Sequence, residues 1–432
     1  MSLKDLEESL KITRLTLLLS GIQMDPGKWD LLFKIFFPIN FIWIHTDVLG
    51  ELFWLTEGIQ LGKSFVELSY IAPCATISIL SSVKALFFYI NQDVFIKVVN
   101  KLRDIHPEIG DEHTSDEFKT NENERQLHEI TKKNVSESTK FLKALIGIDL
   151  VVCLVVVVAF ISLPISTMGY DHWKTGTCNV TFPFNVKFFF DPYTRNVWPL
   201  VYLHQVWSTF IAFNNSFGTD SFFVAFCVYS KMHFSILQRR FKDAVDSPGD
   251  ESKRQFVEVV KRHRELIHLV DQVEILYSKS TLFNIITSSV LICLSGFNVT
   301  SSSGDMGVVI SFLAFLSMSL TQIFLMCYFG DMLMRSSTEI SDAIYNSLWY
   351  EADQGMKRNV LFVLARYVLD CHLFQGILTL RSNAFEEKEQ AIIATNLLIS
   401  RHLTNNLISQ LVHRKEKRNS LLPANELLIS RH

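Results

Sequence analysis

The sequence predicts an all-α, multi-pass membrane helical bundle with six clear spans, a degenerate seventh span and a cytoplasmic N-terminus. Of its 432 residues, 48% are hydrophobic and 12% aromatic, and the mean hydropathy is +0.21. That is too apolar for an ordinary soluble enzyme of this length. Many apolar residues lie in blocks of about 20 residues, enough for a helix to cross a hydrocarbon core about 30 Å thick. The formal net charge of −3 indicates no nucleic-acid partner.

Six apolar segments are predicted to span the membrane. The third is the most apolar, and the first is the weakest because it carries Lys34, Asp47 and Glu51. Each of these blocks is long enough, or nearly so, to form one transmembrane helix. The predicted boundaries are residues 31–55, 65–90, 141–165, 198–229, 282–299 and 308–332.

Charge bias predicts how these spans are oriented. The N-terminal tail and the inner loops at residues 91–139 and 230–280 carry 21 Lys and Arg residues, against 4 in the loops after spans one, three and five. Because cytoplasmic loops are enriched in these residues, the N-terminus is expected in the cytoplasm. Asn179 and Asn298, each in an Asn-x-Thr pattern, then fall on the outer side as candidate glycosylation acceptors.

The chain divides into four predicted regions, each with its own composition. A cytoplasmic amphipathic N-terminal tail is followed by the six-span bundle with helical inner-loop extensions, then a cytoplasmic helix with the degenerate seventh span, and finally an atypical polar tail. An interfacial helix and a partly ordered tail both remain open for the first region. The regions are residues 1–30, 31–332 with extensions at 91–139 and 230–280, 333–380, and 381–432.

The loops carry three further predictions. The acidic centre of the 91–139 loop is expected to be flexible. The aromatic outer loop at 170–196 is predicted to pack over the helices as a lid. The extension at 230–280 contains an apolar helical face, which requires a partner. Either another subunit or an inner loop of the same chain can supply that partner.

Ionisable side chains near or within the spans are costly and normally face a partner or a cavity. Lys143 and Asp149 lie near the inner end of span three, where either can reach water. Asp220 and Asp331 lie towards the inner halves of spans four and six. We interpret each carboxylate as a polar clamp to a cation on another helix, in preference to a functional site.

The sequence indicates no enzyme chemistry. It contains no P-loop, no GxGxxG and no Cys–His metal spacing, so no catalytic residue, cofactor or metal ligand is predicted.

Candidate ligand-binding residues lie mainly in the predicted outer halves of the spans. They combine bulky aromatic side chains with a few hydrogen-bonding groups, which is the usual composition of a small-molecule site. Helix packing or an interfacial aromatic belt is the competing interpretation. The candidates are Tyr70, Phe160, His204, Trp207, Ser208, Ile211, Asn214, Ser288, Phe312 and Phe315.

Two segments resemble a known family. CYFGDMLMRSSTEISDAIYNSLWYEAD at 327–353 resembles the segment that enters the last helices of insect odorant receptors. WPLVYLHQVWSTFIAFNNSFGTDSFF at 198–223 looks like their fourth helix, and FDPY at 190–193 is similar to moth members. The resemblance covers about residues 10–366.

The resemblance implies a seven-span olfactory receptor with an inverted topology in membrane lipid. It implies assembly with a shared odorant receptor co-receptor into a hetero-tetrameric, non-selective cation channel. A small volatile odorant or pheromone would bind the outer half of the tuning subunit and gate the channel. The expected location is the plasma membrane of olfactory sensory neuron dendrites.

The chain departs from this family after VLFVLAR at 360–366. Residues 367–380 carry Asp370 and His372 and lack the family's Ser-, Thr- and aromatic-rich pore helix. LLISRH occurs twice, at 397–402 and 427–432. We favour a replaced last exon, through alternative splicing, a retained intron or a faulty gene model, over a native amphipathic tail. The alternative function is therefore a truncated or mis-spliced, non-conducting receptor-like membrane protein.

Overall fold

The computed structural model describes residues 3–25, 27, 30–107, 122–176, 180–246, 249–301 and 306–374. Every regular element in these ranges is an α-helix, which confirms the predicted all-α class. Three predictions lie outside the described residues. They concern the centre of the 91–139 loop, the acceptor Asn179, and the 381–432 tail with its LLISRH repeat.

The described residues form eleven helices. Five of the six predicted spans each lie within one helix, and span two is divided between α4 and α5 by a turn at residues 70–71. Several helices extend well beyond the predicted boundaries. The helices are α1 Leu3–Ser9, α2 Lys11–Ser20, α3 Asp30–Gln60, α4 Phe65–Ser69, α5 Ala72–Ile90, α6 Gln92–Ile105, α7 Glu122–Thr175, α8 Trp198–Asp246, α9 Gly249–Ser301, α10 Met306–Tyr345 and α11 Gln354–Phe374.

Within the described ranges, five helical segments are long and apolar enough to cross a membrane. They contain predicted spans one, two, three, five and six. Predicted span four, in α8, does not meet the same hydropathy criterion. The segments are Leu32–Gln60, Phe65–Ile90, Arg125–Thr175, Glu251–Thr300 and Val309–Tyr345.

The position of α8 explains why its hydropathy is low. It is the central helix, packed against α2, α3, α5, α7 and α9. Gln205, Asn214 and Asn215 are all buried on it. Polar groups are tolerated at membrane depth when protein rather than lipid surrounds them. By contrast, only 6% of the most apolar stretch of α7 is buried inside the chain, so that stretch must itself be almost entirely apolar.

The N-terminal helices α1 and α2 are integral parts of this helical bundle. Leu6 and Leu17 are fully buried, and α2 packs along α8. A Cβ atom at Gly218 of α8 would lie 2.9 Å from Cδ2 of Leu17 and 3.1 Å from its backbone nitrogen. Glycine at 218 therefore permits the close approach. Residues 3–20 thus form two helices packed on the bundle, and their position at the membrane interface stays a prediction.

Arg103 on α6 ties the N-terminal helices to the bundle. Its Nε atom donates to Glu7 at 2.5 Å, and its guanidinium also binds Asp25. The hydrogen bond from Arg103 lowers the pKa of the Asp25 carboxyl, because it favours the charged form. A second ion pair joins Lys143 of α7 to Glu8 at 2.8 Å.

The long helix α9 has its apolar face covered by the same chain. It contains 53 residues, a length of about 80 Å at 1.5 Å per residue. The Phe256 ring lies 5.8 Å from that of Phe241 on α8, and Lys101 of α6 pairs with Glu265 at 3.2 Å. Of the two predicted partners for this face, the structure supplies the one within the chain.

Residues from Tyr345 onward belong to a second compact unit, described as far as Phe374. Within it, Trp349 is buried and its Nε1 donates to the Tyr345 carbonyl at 3.1 Å. Asp353 accepts from the Met356 amide at 2.8 Å, which caps the first turn of α11. This helix includes residues 367–374 of the predicted degenerate seventh span, the rest of which lies outside the described residues, and it is not among the five apolar segments.

Candidate functional site

Two predicted ligand residues, His204 and Ser208, meet α3 in a polar cluster. The Ser208 hydroxyl donates to Oδ2 of Asp47, and Nδ1 of His204 lies 3.2 Å from Oδ1 of the same carboxylate. The indole of Trp43 stacks on the imidazole at 4.7 Å. We call Asp47, Glu51, His204 and Ser208 the α3–α8 polar cluster.

Glu51 is the unusual member of this cluster. It lies four residues after Asp47, on the same face of α3, and each residue is only 2% exposed. Neither carboxyl oxygen of Glu51 has a hydrogen-bond partner among the described residues. Buried carboxyl groups are normally paired, because an unpaired one loses its solvation without compensation.

Four other predicted residues form an aromatic cluster at the interfaces of α10. The rings of Tyr70 and Phe312 lie 5.5 Å apart, and those of Phe160 and Phe315 lie 5.9 Å apart. Phe184, from the segment after α7, stacks parallel to Phe160 at 6.5 Å. Such pairs favour apolar ligands of matching shape, since they supply area without fixed hydrogen bonds.

The remaining predicted ligand residues belong to neither cluster, although one of them borders the polar cluster. Ile211 packs on Ile44, three residues before Asp47, and so borders the polar cluster. Asn214 donates to the Phe210 carbonyl of its own helix at 2.7 Å, and Ser288 bonds to Asn284 at 3.3 Å, also within its own helix. Trp207 is 38% exposed and lies 5.4 Å from the ring of Phe210.

Residues 180–196 contact both clusters, which agrees with the predicted packing of this loop on the helices. The amide of Gln205 donates to the Phe184 carbonyl at 3.1 Å. The Lys187 amide donates to the Gly50 carbonyl at 3.0 Å. A Cβ atom at Gly50 would clash with Cγ1 of Val186, so glycine is needed beside Glu51. The loop thus closes over the region between α3, α7 and α8.

Asp220 of α8 shows how this chain neutralises a structural carboxylate. Nζ of Lys84 lies 2.7 and 2.8 Å from its two oxygens, and Nε2 of Gln322 donates at 2.6 Å. This ion pair confirms the clamp predicted for Asp220. Asp331 instead pairs with Arg335 on its own helix at 2.7 Å, so the prediction of an inter-helix partner is wrong there.

The surroundings of Asn298 contradict its predicted glycosylation. The residue is fully buried within α9. Its side-chain oxygen accepts from Ser69 at 2.9 Å, and its nitrogen donates to the Leu294 carbonyl at 2.9 Å. An acceptor amide must be accessible, and this one is enclosed.

Sequence reasoning did not identify three of the side chains that shape these sites. Asp47 and Glu51 were treated only as features that weaken span one, and Phe184 was not selected at all. The i,i+4 spacing of two carboxylates inside an apolar segment was the available signal, since intramembrane acids commonly mark function. No comparable signal singles out Phe184, because its position depends on how the loop folds back.

The fold and the two covered clusters define a multi-pass helical membrane receptor. Residues 64–373 match the 7tm Odorant receptor family model. The chain therefore belongs to this family, which consists of receptors and not enzymes.

Individual relatives agree with this family. Odorant receptor 67c of Drosophila melanogaster is 27% identical over 339 residues, which cover 76% of this chain and 77% of the relative. Putative odorant receptor 92a of the same species is 23% identical over 343 residues, covering 78% and 79%. The resemblance drawn from the 198–223 and 327–353 segments is thus confirmed.

The solved structure of the insect olfactory receptor OR5 from Machilis hrabei shares this fold. It superimposes with a TM-score of 0.65 over 84% of this chain and 90% of that chain, at 12% identity. The same receptor in complex with eugenol also gives a TM-score of 0.65, at 13% identity.

Proposed function

We propose that this chain is an olfactory receptor subunit that binds volatile odorants or pheromones. It acts as the tuning subunit of a ligand-gated, non-selective cation channel formed with a shared co-receptor. Family membership supports this function, and so does the complex of the OR5 relative with eugenol. The observation that carries the proposal is the pair of clusters, one polar and one aromatic, beneath residues 180–196.

The aromatic cluster is proposed to supply most of the binding energy. Tyr70, Phe160, Phe312 and Phe315 offer ring faces to an apolar chain. Burial contributes about 0.8 kcal/mol for each CH2 group. A ligand opens the channel only to the extent that it binds the open state more tightly than the closed state.

The proposed location is the plasma membrane of olfactory sensory neuron dendrites, with the N-terminus in the cytoplasm. The 21-to-4 distribution of Lys and Arg between the two sets of connecting segments supports this orientation. It places α1 and α2 inside the cell and residues 180–196 outside, where a volatile ligand would arrive.

A second candidate function is a non-conducting receptor-like membrane protein. The observation that favours it is the C-terminal end. Helix α11 is 21 residues long and contains Arg366, Asp370 and His372, a poor composition for a lipid-exposed or pore-lining span. Such a chain could still bind ligand and assemble with other subunits.

Expression with the co-receptor in a heterologous cell tests both functions. We expect odorant-evoked cation current from a chimera in which residues 367–432 are replaced by the C-terminal end of a conducting family member. Cells with the co-receptor alone serve as the control. Current from the chimera and the native chain supports the tuning subunit; current from the chimera alone supports the non-conducting alternative. Silence of both, despite surface expression, contradicts the tuning role.

A further inference from the structure

We propose that the α3–α8 polar cluster selects odorants by their head group. It favours an apolar chain that ends in a hydrogen-bond donor, a hydroxyl or a protonated amine, over an analogue without a donor, such as an ether. The inference rests on the proposed odorant binding, and it names the ligand class and the residue that recognises it, Glu51.

The cluster has more hydrogen-bond acceptors than donors, which favours a ligand that donates a hydrogen bond. Oδ2 of Asp47 already accepts from the Ser208 hydroxyl, and its Oδ1 faces His204. Both oxygens of Glu51 remain without a partner among the described side chains. Two neighbouring carboxyl groups can share one proton. Even then, acceptor sites outnumber donors around Glu51, so a ligand that donates completes the cluster.

Comparison with Asp220 separates this cluster from a structural clamp. Asp220 is compensated by a cation and an amide from two other helices. Across the described residues, no Lys or Arg forms a salt bridge with Asp47 or Glu51. The chain therefore compensates the carboxylate of Asp220, which is only partly buried, and leaves the fully buried carboxyl group of Glu51 without a partner among the described residues. An incoming donor would supply what the second one lacks.

The walls of the cluster fit an amphiphilic ligand. Ile44 and Ile211 form an apolar contact one turn from Asp47. On the other side of Glu51, Val186 packs against Gly50, where the loop backbone is hydrogen-bonded to α3. An amphiphilic ligand would place its apolar chain against these side chains and its head group at Glu51.

A metal ion is not the occupant that the geometry favours. Among the described residues, no group of three or more His, Cys, Asp or Glu side chains has the spacing to hold one. A single hydroxyl or ammonium group needs only one or two acceptors at hydrogen-bonding distance, which matches the oxygens that Glu51 offers.

Ligand binding to the purified full-length chain tests the proposal without requiring channel activity. The probes are 1-octanol, octylamine and methyl heptyl ether, the last being an isomer of the alcohol. Dissociation constants come from ligand-dependent thermal stabilisation in detergent. We expect the alcohol or the amine to bind about tenfold more tightly than the ether, as one buried hydrogen bond predicts. If octylamine exceeds the ether in affinity by the larger factor, ammonium is the preferred donor. If 1-octanol does so, hydroxyl is the preferred donor.

Two variants and a control assign the preference to Glu51. Glu51→Leu removes the acceptors and should bring the ratio of the dissociation constant of the ether to that of the alcohol or amine close to one. Glu51→Gln preserves the shape and should lower the ratio several-fold, because the amide presents a donor of its own. Asp331→Asn changes an exposed carboxylate on α10 and should leave the tenfold ratio intact.

The outcomes distinguish this inference from the function on which it rests. Equal affinity of the folded wild type for all three probes overturns the head-group preference and leaves odorant binding standing. A tenfold ratio that survives in Glu51→Gln and in Glu51→Leu also overturns it. A folded chain that binds none of the probes contradicts both the inference and the proposed odorant binding.

Discussion

At the scale of single residues, the bundle depends on how each intramembrane charge is compensated. Lys84 is almost fully buried and binds both oxygens of Asp220. It joins α5 to α8 in the middle of an apolar assembly. Removing one partner of a buried pair costs more than the pair itself contributes, because the other charge stays buried.

Lys84→Met is therefore expected to lower the free energy of unfolding by about 3 kcal/mol. This value is at the lower end of the usual destabilisation for removing one partner of a buried ion pair. The reason is that the Asp220 side chain is 24% exposed and Gln322 still donates to it. Thermal unfolding of the solubilised chain measures the effect. Adding Asp220→Asn should restore part of the loss.

Arg335→Met is the matched control for that substitution. It breaks an exposed ion pair with Asp331, and such pairs contribute less than about 1 kcal/mol. If Lys84→Met proved no more destabilising than Arg335→Met, compensation of Asp220 would not be what stabilises this part of the bundle.

At the scale of helices, the N-terminal segment is held by shape as well as by charge. The close packing of α2 on α8 occurs where Gly218 meets Leu17. Any side chain at 218 would have to displace both the side chain and the backbone of α2. The hydrophobic pattern of residues 6–18 suggested a helix, but it contained no information about this partner.

Gly218→Ala is expected to destabilise the chain by about 1–3 kcal/mol, the usual cost of overpacking. Proteolysis of the N-terminal segment should also become faster, because α2 would be displaced first. Gly147→Ala provides the comparison, since a Cβ atom there meets nothing within 4 Å. Equal stability of the two variants would show that α2 does not pack on α8 as described.

Two buried histidines predict a pH dependence of the same region. The rings of His106 and His233 lie 6.5 Å apart, and His106 also contacts Tyr229, whose hydroxyl bonds to Ser9 at 2.6 Å. Burial lowers the pKa of both, that of His233 to about 3 with further contributions from His106, Arg262 and Arg240. Asp5 raises the pKa of His106 in part.

The sign of the pH effect follows from these shifts. Both histidines fold in the neutral form, so stability is complete above their ordinary pKa of about 6.5 and falls as the pH drops below it. The loss is at most about 1.4 kcal/mol per histidine for each pH unit. Thermal unfolding at pH 7.5 and 5.5 measures it.

The window from pH 7.5 to 5.5 spans the ordinary pKa of histidine. The pKa of Asp25 is lowered by Arg103, so this carboxylate keeps its charge throughout the window. His233→Met should reduce the acid sensitivity, whereas the exposed His268→Gln should not. If wild type and His233→Met lost the same stability between pH 7.5 and 5.5, His233 would not be the cause of the pH dependence.

At the scale of the whole molecule, the predicted topology leads to a test of glycosylation. Residues after α7 are proposed to face outward, and Asn179 is the acceptor there. Asn298 is enclosed by its own helix and by Ser69. In a eukaryotic host, the glycosidase-sensitive shift in mobility should disappear in Asn179→Gln.

Thr300→Ala provides the comparison because it removes the second acceptor pattern without disturbing the buried Asn298 side chain. The mobility shift should remain in this variant. A shift lost in Thr300→Ala but kept in Asn179→Gln would contradict the enclosed position of Asn298. A shift absent in wild type at the cell surface would count against outward exposure of Asn179.

The sequence by itself determined the all-α class, the positions of the five apolar helical segments in the described ranges and the family. Hydrophobic blocks of about 20 residues and local motifs such as 198–223 are encoded in contiguous residues, so they can be recognised without knowing any contact. The Asp220 clamp was also predictable, because an intramembrane carboxylate requires a partner. Its actual partners, Lys84 and Gln322, could not be predicted.

Only the tertiary structure decided which polar residues matter and why. It placed α8 at the centre, buried Asn298, and docked α2 on Gly218. It also brought Asp47 of α3, one turn before Glu51, to His204 and Ser208 of α8, beside a loop hydrogen-bonded to Gly50. These pairings join residues more than 100 positions apart. They depend on how helices pack and on which groups are left without compensation, and no local pattern contains that information.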